Sequence, residues 1–119
     1  MKQITLPWPD RALQSNARVH WAVKARAVKN ARQAAHIACL EAPRIQCDPH
    51  AVIFIEYWPK TYRGDIHNVA SSLKAYIDGI ADAMGCDDRG FKVDYPRVWA
   101  GKSNHGEVVF RIAQSAERS

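Results

Sequence analysis

The sequence predicts an α/β (α+β) fold: one domain over residues 1–119, with a small mixed sheet of about four strands and two helices packed on it, in the order β-α-β-α-β-β. Three observations predict it. The β-favouring run Val52-Ile53-Phe54-Ile55 is closed by Pro59. Two stretches, about His20–Glu41 and Asn68–Met84, repeat apolar residues at helical spacing without an interior proline. Beyond them, Phe91–Ala100 and Glu107–Ala113 are β-favouring runs on either side of Gly101 and Gly106, the pattern of a hairpin. A chain of 119 residues that is 47% hydrophobic and 24% charged can build one core without staples.

Taken in order, Gln3–Leu6 reads as a short strand stopped by Pro7 and Pro9. Asp10–Val19 is polar and turn-rich, with Ser15-Asn16 as a turn. The first helix, His20–Glu41, is dominated by Ala, Arg, Lys and Gln, and Pro43 follows its end. Val28, Ala31, Ala35, Ala38 and Cys39 form its apolar stripe, leaving Lys24, Lys29 and Arg32 for water. Four consecutive apolar residues in Ala51–Trp58 predict a central strand buried on both faces, with Glu56 at a solvent edge or aimed into a site. In the second helix Val69, Leu73, Tyr76, Ile77, Ile80, Ala81 and Met84 share one face. His67 or Asn68 serves as its N-cap and Gly85 as its C′ residue. Gln114–Ser119 reads as a frayed tail.

Composition excludes some classes. The longest apolar run, Ala51–Ile55, is too short to span a bilayer, and the N-terminus lacks a signal-peptide layout. The three cysteines, Cys39, Cys47 and Cys86, have no metal-like spacing, and Cys39 falls on the helical core stripe. A reduced, cytoplasmic setting is expected.

The net charge of +5 is unevenly spread. From Arg11 to Arg44 there are seven Lys/Arg against the single acid Glu41. From Asp65 to Asp94 there are six acids against three bases. A basic face beside an acidic pocket is the layout of a metal-dependent nuclease: the face attracts phosphate and the pocket holds a cation. Around the second helix His67, Ser71, Lys74 and Asp78 are spaced 4, 3 and 4 apart, so they share one stripe. Asp65 precedes them, and Asp87 and Asp88 follow the helix. The two aspartates approach Asp65 only if the chain turns back along the helix, whose length puts them roughly 25 Å away otherwise. Each residue also has an ordinary reading. Asp65 suits a turn, His67 a cap, Lys74 with Asp78 an exposed i,i+4 pair, and Asp87-Asp88 a tight turn.

Three segments together resemble the RusA family of Holliday junction resolvases. Ile4-Thr5-Leu6-Pro7-Trp8-Pro9 is similar to that family's opening strand and Leu-Pro-Trp-Pro element. Asp65-Ile66-His67-Asn68, followed by Lys74-Ala75-Tyr76-Ile77-Asp78-Gly79-Ile80, resembles its Asp-x-Asp-Asn…Lys-Ala…Asp-Ala/Gly-Leu block. Asp87-Asp88 with Val93-Asp94-Tyr95 is similar to its Asp-Asp…Val segment. The resemblance implies metal-binding carboxylates at Asp65 and Asp88, a site lysine at Lys74, and Mg²⁺ as cofactor. The chain departs from the pattern twice. His67 stands where the family has an aspartate, and the stretch from Asn68 to Lys74 is longer than in the family's shortest form. Imidazole is a softer, neutral ligand, so a site of Asp65, His67 and Asp88 would tolerate Mn²⁺ better than an all-carboxylate one. His67 is alternatively a general base or a donor to phosphate.

The leading expectation is therefore a Mg²⁺-dependent endodeoxyribonuclease acting on four-way junctions as a homodimer, with catalytic residues Asp65, His67, Lys74 and Asp88. Lys24, Arg26, Lys29, Arg32 and Arg63 would hold the DNA. A second reading is a branched-DNA-binding protein that lost catalysis through His67. A third is a small basic scaffold that pairs with another protein through Trp21, Trp58 or Trp99.

Overall fold

The computed structural model describes residues 2–42 and 46–114. Its strands are β1 (Lys2–Pro7), β2 (Val52–Trp58), β3 (Lys92–Asp94) and β4 (Glu107–Ala113). Its helices are α1 (Trp21–Glu41), α2 (Ile66–Ser71) and α3 (Lys74–Met84). The strands form one mixed sheet in the order β1-β4-β2-β3: β4 runs antiparallel to both β1 and β2, while β3 lies parallel to β2. The predicted class, a mixed α+β domain with a four-stranded sheet, is the class observed.

One face of the sheet carries the core. Ile4, Leu6, Ile53, Ile55, Tyr57, Val108, Phe110 and Ile112 are buried, and the register puts them on one side. Tyr76 of α3 meets Phe110 edge-on at 5.9 Å and donates its hydroxyl to the Pro7 carbonyl at 2.8 Å, fastening α3 across the sheet. Trp8, Tyr57 and Trp99 stack in a group, with ring centres 6.0–6.2 Å apart, at the end of the sheet where β2 leaves for α2.

α1 begins with His20 as N-cap, its Nδ1 accepting from the Ala22 N–H at 3.1 Å. Its buried row is Ala27, Ala31, Ala35 and Cys39, spaced four apart. Val28, expected on the core stripe, is 37% exposed instead. Small residues at every fourth position let α1 approach α3 closely. Gly79 of α3 marks the contact: a Cβ there would lie 2.2 Å from the Arg32 carbonyl oxygen and 2.8 Å from Ala35 Cβ.

Three expectations are corrected. First, the predicted Phe91–Ala100 and Glu107–Ala113 hairpin does not form. β3 ends at Asp94, just before Tyr95-Pro96, and pairs with β2, while β4 inserts between β1 and β2. β4 buries Val108, Val109, Phe110, Ile112 and Ala113, so it gains most from strands on both sides. Second, Asn68–Met84 is two helices, making three α-helices among the described residues. Ser72 donates both its N–H (2.9 Å) and its hydroxyl (2.6 Å) to the Val69 carbonyl, and the Ser71 hydroxyl takes the Asn68 carbonyl at 2.9 Å. Serine hydroxyls compete here with the helical ladder, and the chain turns. Third, the cap of α2 is Asp65, not His67 or Asn68.

β2 is interior as expected, yet its outward residue Phe54 is 37% exposed, so the strand is buried fully on the helix side only. Glu56 faces outward and accepts from Arg111 at 3.2 Å. Pro43, Arg44 and the tail Ser115–Ser119 lie outside the described residues. Among the described residues no helix is long and apolar enough to cross a membrane.

Candidate active site

The loop leaving β2 reaches α2 through Gly64, whose φ of 94° is a conformation other residues rarely adopt. That turn delivers Asp65 to the cap position. Its Oδ1 accepts from the His67 N–H at 2.9 Å, leaving Oδ2 toward solvent, and both Asp65 and His67 are exposed.

The break after Ser71 re-aims the chain so that Lys74 opens α3. Its Nζ donates to Asp78 Oδ1 at 2.8 Å and to Asp88 Oδ2. Asp88 arrives there because the chain does turn back. Gly85 ends α3 at φ 72°, with the Gly85 N–H on the Asp82 carbonyl and the Cys86 N–H on the Ala81 carbonyl. Asp87 then caps a 3-10 turn at Asp88–Gly90. It accepts from the Arg89 N–H (2.9 Å) and guanidinium (2.8 Å), and these two interactions, in that order, hold its carboxyl below the usual range. Asp87 is thus engaged locally, and Asp88 is the member of the pair that faces the lysine.

The Lys74 ammonium is pushed up to about 12, first by its bond to Asp78 and then by that to Asp88. A raised lysine pKa means the stabilising charge is complete below the ordinary value of 10.5 and is lost as pH rises through about 12. Melting temperatures of the wild type and Lys74→Met are accordingly expected to keep a constant difference from pH 7 to about 10 and to converge above it. A difference that vanished near pH 8 would show that Lys74 does not hold this charge.

The predicted residues are thus brought together only in part. Lys74 and Asp88 meet, with Asp78 as the third member. Among the described residues no three His, Cys, Asp or Glu side chains form a group able to hold a metal ion, so Asp65, His67 and Asp88 are not gathered at one point.

The predicted DNA-binding cations also divide. Lys24 lines a groove of about 240 Å³ together with Ser15, Ser71, Lys74 and Asp78. Arg26 and Lys29 are exposed on α1, and Arg63 is exposed in the loop before Asp65. Arg32 is already engaged: its guanidinium grips Asp82 of α3 in a two-pronged pair at 2.5 and 2.8 Å. Its charge is held firmly by that carboxylate, which is lowered in turn. Of the three tryptophans in the scaffold reading, Trp21 is 77% exposed, whereas Trp58 and Trp99 are half-buried.

No family model matches the chain. An uncharacterized protein of Xylella fastidiosa (strain Temecula1 / ATCC 700964) is 38% identical over 117 residues, covering 94% of this chain and 76% of the relative. The chain belongs to the family of that Xylella protein.

In this member of the Xylella protein's family, sequence reasoning missed four residues of the site region. Asp78 was legible as the i,i+4 partner of Lys74, but not as half of a carboxylate pair around it. Tyr95, just past β3, is near enough to Lys74 that the ammonium opposes the rise that burial gives its phenol. Lys60 and Lys102 flank a cleft of about 320 Å³ beside the loop that holds Arg63, with Lys102 stacked 5.1 Å over the Tyr62 ring. Two backbone bonds, Ala100 N–H to Tyr57 and Ser103 N–H to Pro59, join these loops. Lys102 sits in the segment read as a hairpin turn, so no sequence signal placed it here. Tyr57 itself is fully buried with no side-chain hydrogen-bond partner for its hydroxyl among the described residues, and burial keeps that hydroxyl protonated.

Proposed function

We propose that the chain is a metal-dependent, structure-selective endodeoxyribonuclease of the RusA type that hydrolyses phosphodiesters in four-way DNA junctions. The observation that carries the reading is the meeting of Lys74, Asp78 and Asp88 at the start of α3, beside the groove that Lys24 enters. Mg²⁺ needs only one or two carboxylates and otherwise keeps waters or binds substrate phosphate. The donor chemistry fits it: Asp78 and Asp88 converge on one cationic group, the Lys74 ammonium. Asp78 and Asp88 would hold the ion, waters or substrate phosphate would complete its shell, and Mn²⁺ would be a second acceptable metal; Asp65 and His67 would join as donors only if the start of α2 moved toward Lys74 when the metal binds. Such a cation supplies an activated water and neutralises charge on the scissile phosphate.

The remaining roles belong to the chain. Lys74 stays an ammonium at neutral pH, so it acts as a point charge on a phosphate oxygen or the leaving oxygen and not as a base. Lys24, Lys29, Arg26 and Arg63, joined by Lys60 and Lys102, offer charges to the DNA backbone. Symmetric cutting of a four-way junction requires two sites related by a two-fold axis, which a homodimer supplies. The process served would be DNA recombination and repair, in the cytoplasm.

The test is the nicking of a synthetic junction against linear duplex of the same sequence, with and without Mg²⁺ or Mn²⁺. Metal-dependent nicking confined to the junction supports the proposal. Equal action on both substrates contradicts its selectivity.

A second reading, binding without catalysis, is favoured by the spread of Asp65, His67 and Asp88 and by the histidine itself. His67→Asp separates the two. If histidine has weakened the site, the variant cuts junctions at least about 10-fold faster in Mg²⁺, since it restores a hard anionic donor. If His67 is an adapted participant, the variant cuts more slowly.

A further inference from the structure

We propose that the cavity between the 3-10 turn Arg11–Leu13 and the start of α1 is a nucleotide subsite, which takes one unpaired base together with its phosphate. It encloses about 570 Å³, a volume suited to a small ligand. The segment that builds it, Asp10 to Val23, leads from β1 into α1.

The backbone fixes the walls. Asp10 caps the 3-10 turn, its Oδ1 accepting from the Ala12 N–H at 2.9 Å. The Leu13 N–H bonds the Asp10 carbonyl at 2.9 Å, the Gln14 N–H the Arg11 carbonyl at 3.2 Å, and the Ala17 N–H the Gln14 carbonyl at 3.0 Å. Ala12 and Leu13 are buried in the core and anchor the turn. The side chains of Arg11, Gln14, Asn16 and Arg18 line the cavity, and among the described residues none of the four has a hydrogen-bond or ion-pair partner. Val19 and Val23, both exposed, supply its apolar part.

This lining matches a nucleotide part by part. Guanidinium groups grip phosphate through paired N–H donors, and Arg11 and Arg18 provide two of them. Side-chain amides carry a donor and an acceptor together, as the edge of a base does, and Gln14 and Asn16 provide two of those. Asp10 Oδ2 can accept from an exocyclic amino group. The valines suit the apolar faces of the ring. An inorganic anion would use the arginines and leave the amides and valines idle. A base within a duplex has its pairing edge occupied, so the occupant is an unpaired one.

On the nuclease reading, on which this placement rests, the nucleotide comes from the strand lying in the Lys74 groove. Gln14 and Asn16 line the cavity, whereas Leu13 and Ser15 line that groove; Val23 and its neighbour Lys24 divide in the same way. The two spaces are therefore opposite sides of one segment. The Ser15 N–H donates to Ser71 Oγ at 3.3 Å and holds the segment against the end of α2. A strand with its phosphate at Lys74 can pass a neighbouring base over this segment into the cavity. Extruding a base costs least where pairing is already weakened, as it is at a branch point. The cavity would thus favour a junction over linear duplex.

The experiment follows the amide NMR signals of the isotope-labelled full chain, without metal, as each of the four deoxynucleoside monophosphates is added at millimolar concentration. Inorganic phosphate is a separate arm. The expected result is a saturable shift of Ala12, Ala17 and Val23 with at least one nucleotide, and no shift of Val23 with phosphate. Asn16→Ala and Gln14→Ala are each expected to weaken that nucleotide at least about 5-fold, with the rest of the spectrum unchanged, because each removes a paired contact to the base. Absence of a shift with all four nucleotides would overturn the proposal. So would phosphate reproducing the full pattern, or unchanged affinity in both variants. Junction nicking reads the metal site separately. A chain that nicks but shows no shift overturns the subsite alone, and one that shifts at these amides but nicks nothing supports the subsite and overturns the nuclease reading.

Discussion

Asp88→Asn is expected to lower metal-dependent cleavage of a four-way junction by at least about 100-fold while leaving the protein folded. The substitution keeps the shape of the side chain and removes its charge. Lys74 would retain Asp78 as a partner, at 2.8 Å within α3, so the helix start is not abandoned. The turn carrying Asp88 is closed by Asp87 and Arg89, neither of which is altered. What disappears is one of the two carboxylates that converge at Lys74, and a hard divalent ion loses more from that than a folded backbone does. Asp87→Asn supplies the contrast. Asp87 pairs with Arg89 and does not face the lysine, so its loss is expected to change cutting by less than about 10-fold. Rates for the three proteins on one labelled junction check this. Equal losses in the two variants would mean that charge near the turn matters and the Lys74–Asp88 pairing does not.

Gly79→Ala is expected to destabilise the chain by about 2 kcal/mol. Alanine is the better helix former by up to about 1 kcal/mol. That gain is outweighed because the new methyl would lie 2.2 Å from the backbone oxygen of Arg32, an atom that cannot rotate away. α1 and α3 must separate, which also strains the Arg32–Asp82 pair that spans them. For a chain of this size the change lowers the melting temperature by roughly 8 °C. Urea unfolding measures it directly. The same substitution tests the site indirectly, since α3 carries Lys74 and Asp78 and its seat on α1 sets where they stand. A Gly79→Ala protein as stable as the wild type would mean that the two helices are not in contact at this position.

The elements read well from the sequence are those whose signal is local. The β2 run, the period of α1 and the stop at Gly85 depend on residues within a few positions of each other, and each lies within a residue or two of its observed ends, whereas the Asn68–Met84 period covers two helices. The partner of β4 was not legible, because a β-favouring run records its own burial and not which strand lies beside it. Gly101 and Gly106 suggested a hairpin; the complete burial of Val108, Phe110 and Ile112 drew β4 into the middle of the sheet instead. The break at Ser71-Ser72 was hidden for a different reason. The apolar spacing stays regular across it, with Val69 and Leu73 both buried, so periodicity alone cannot register two hydroxyls taking the helix carbonyls.

For the site, spacing singled out Lys74 and Asp88 only as members of separate short patterns, and it was the resemblance that grouped them with Asp65 and His67. Their meeting depends on a positive φ at Gly85 and on the turn that Asp87 caps; both were legible as local stops, but the direction in which the chain leaves them was not. The pairing of Arg32 with Asp82 was invisible for the same reason, since it joins residues far apart in the chain.

The measurement that tests the nuclease proposal most directly is strand-resolved cleavage of a junction whose four strands are labelled in turn, with the purified chain in Mg²⁺ and then in Mn²⁺. Paired cuts at symmetry-related positions on two opposing strands are expected, absent when the metal is chelated and lost in Asp88→Asn. A folded protein that binds the junction yet leaves all four strands intact in both metals would contradict it.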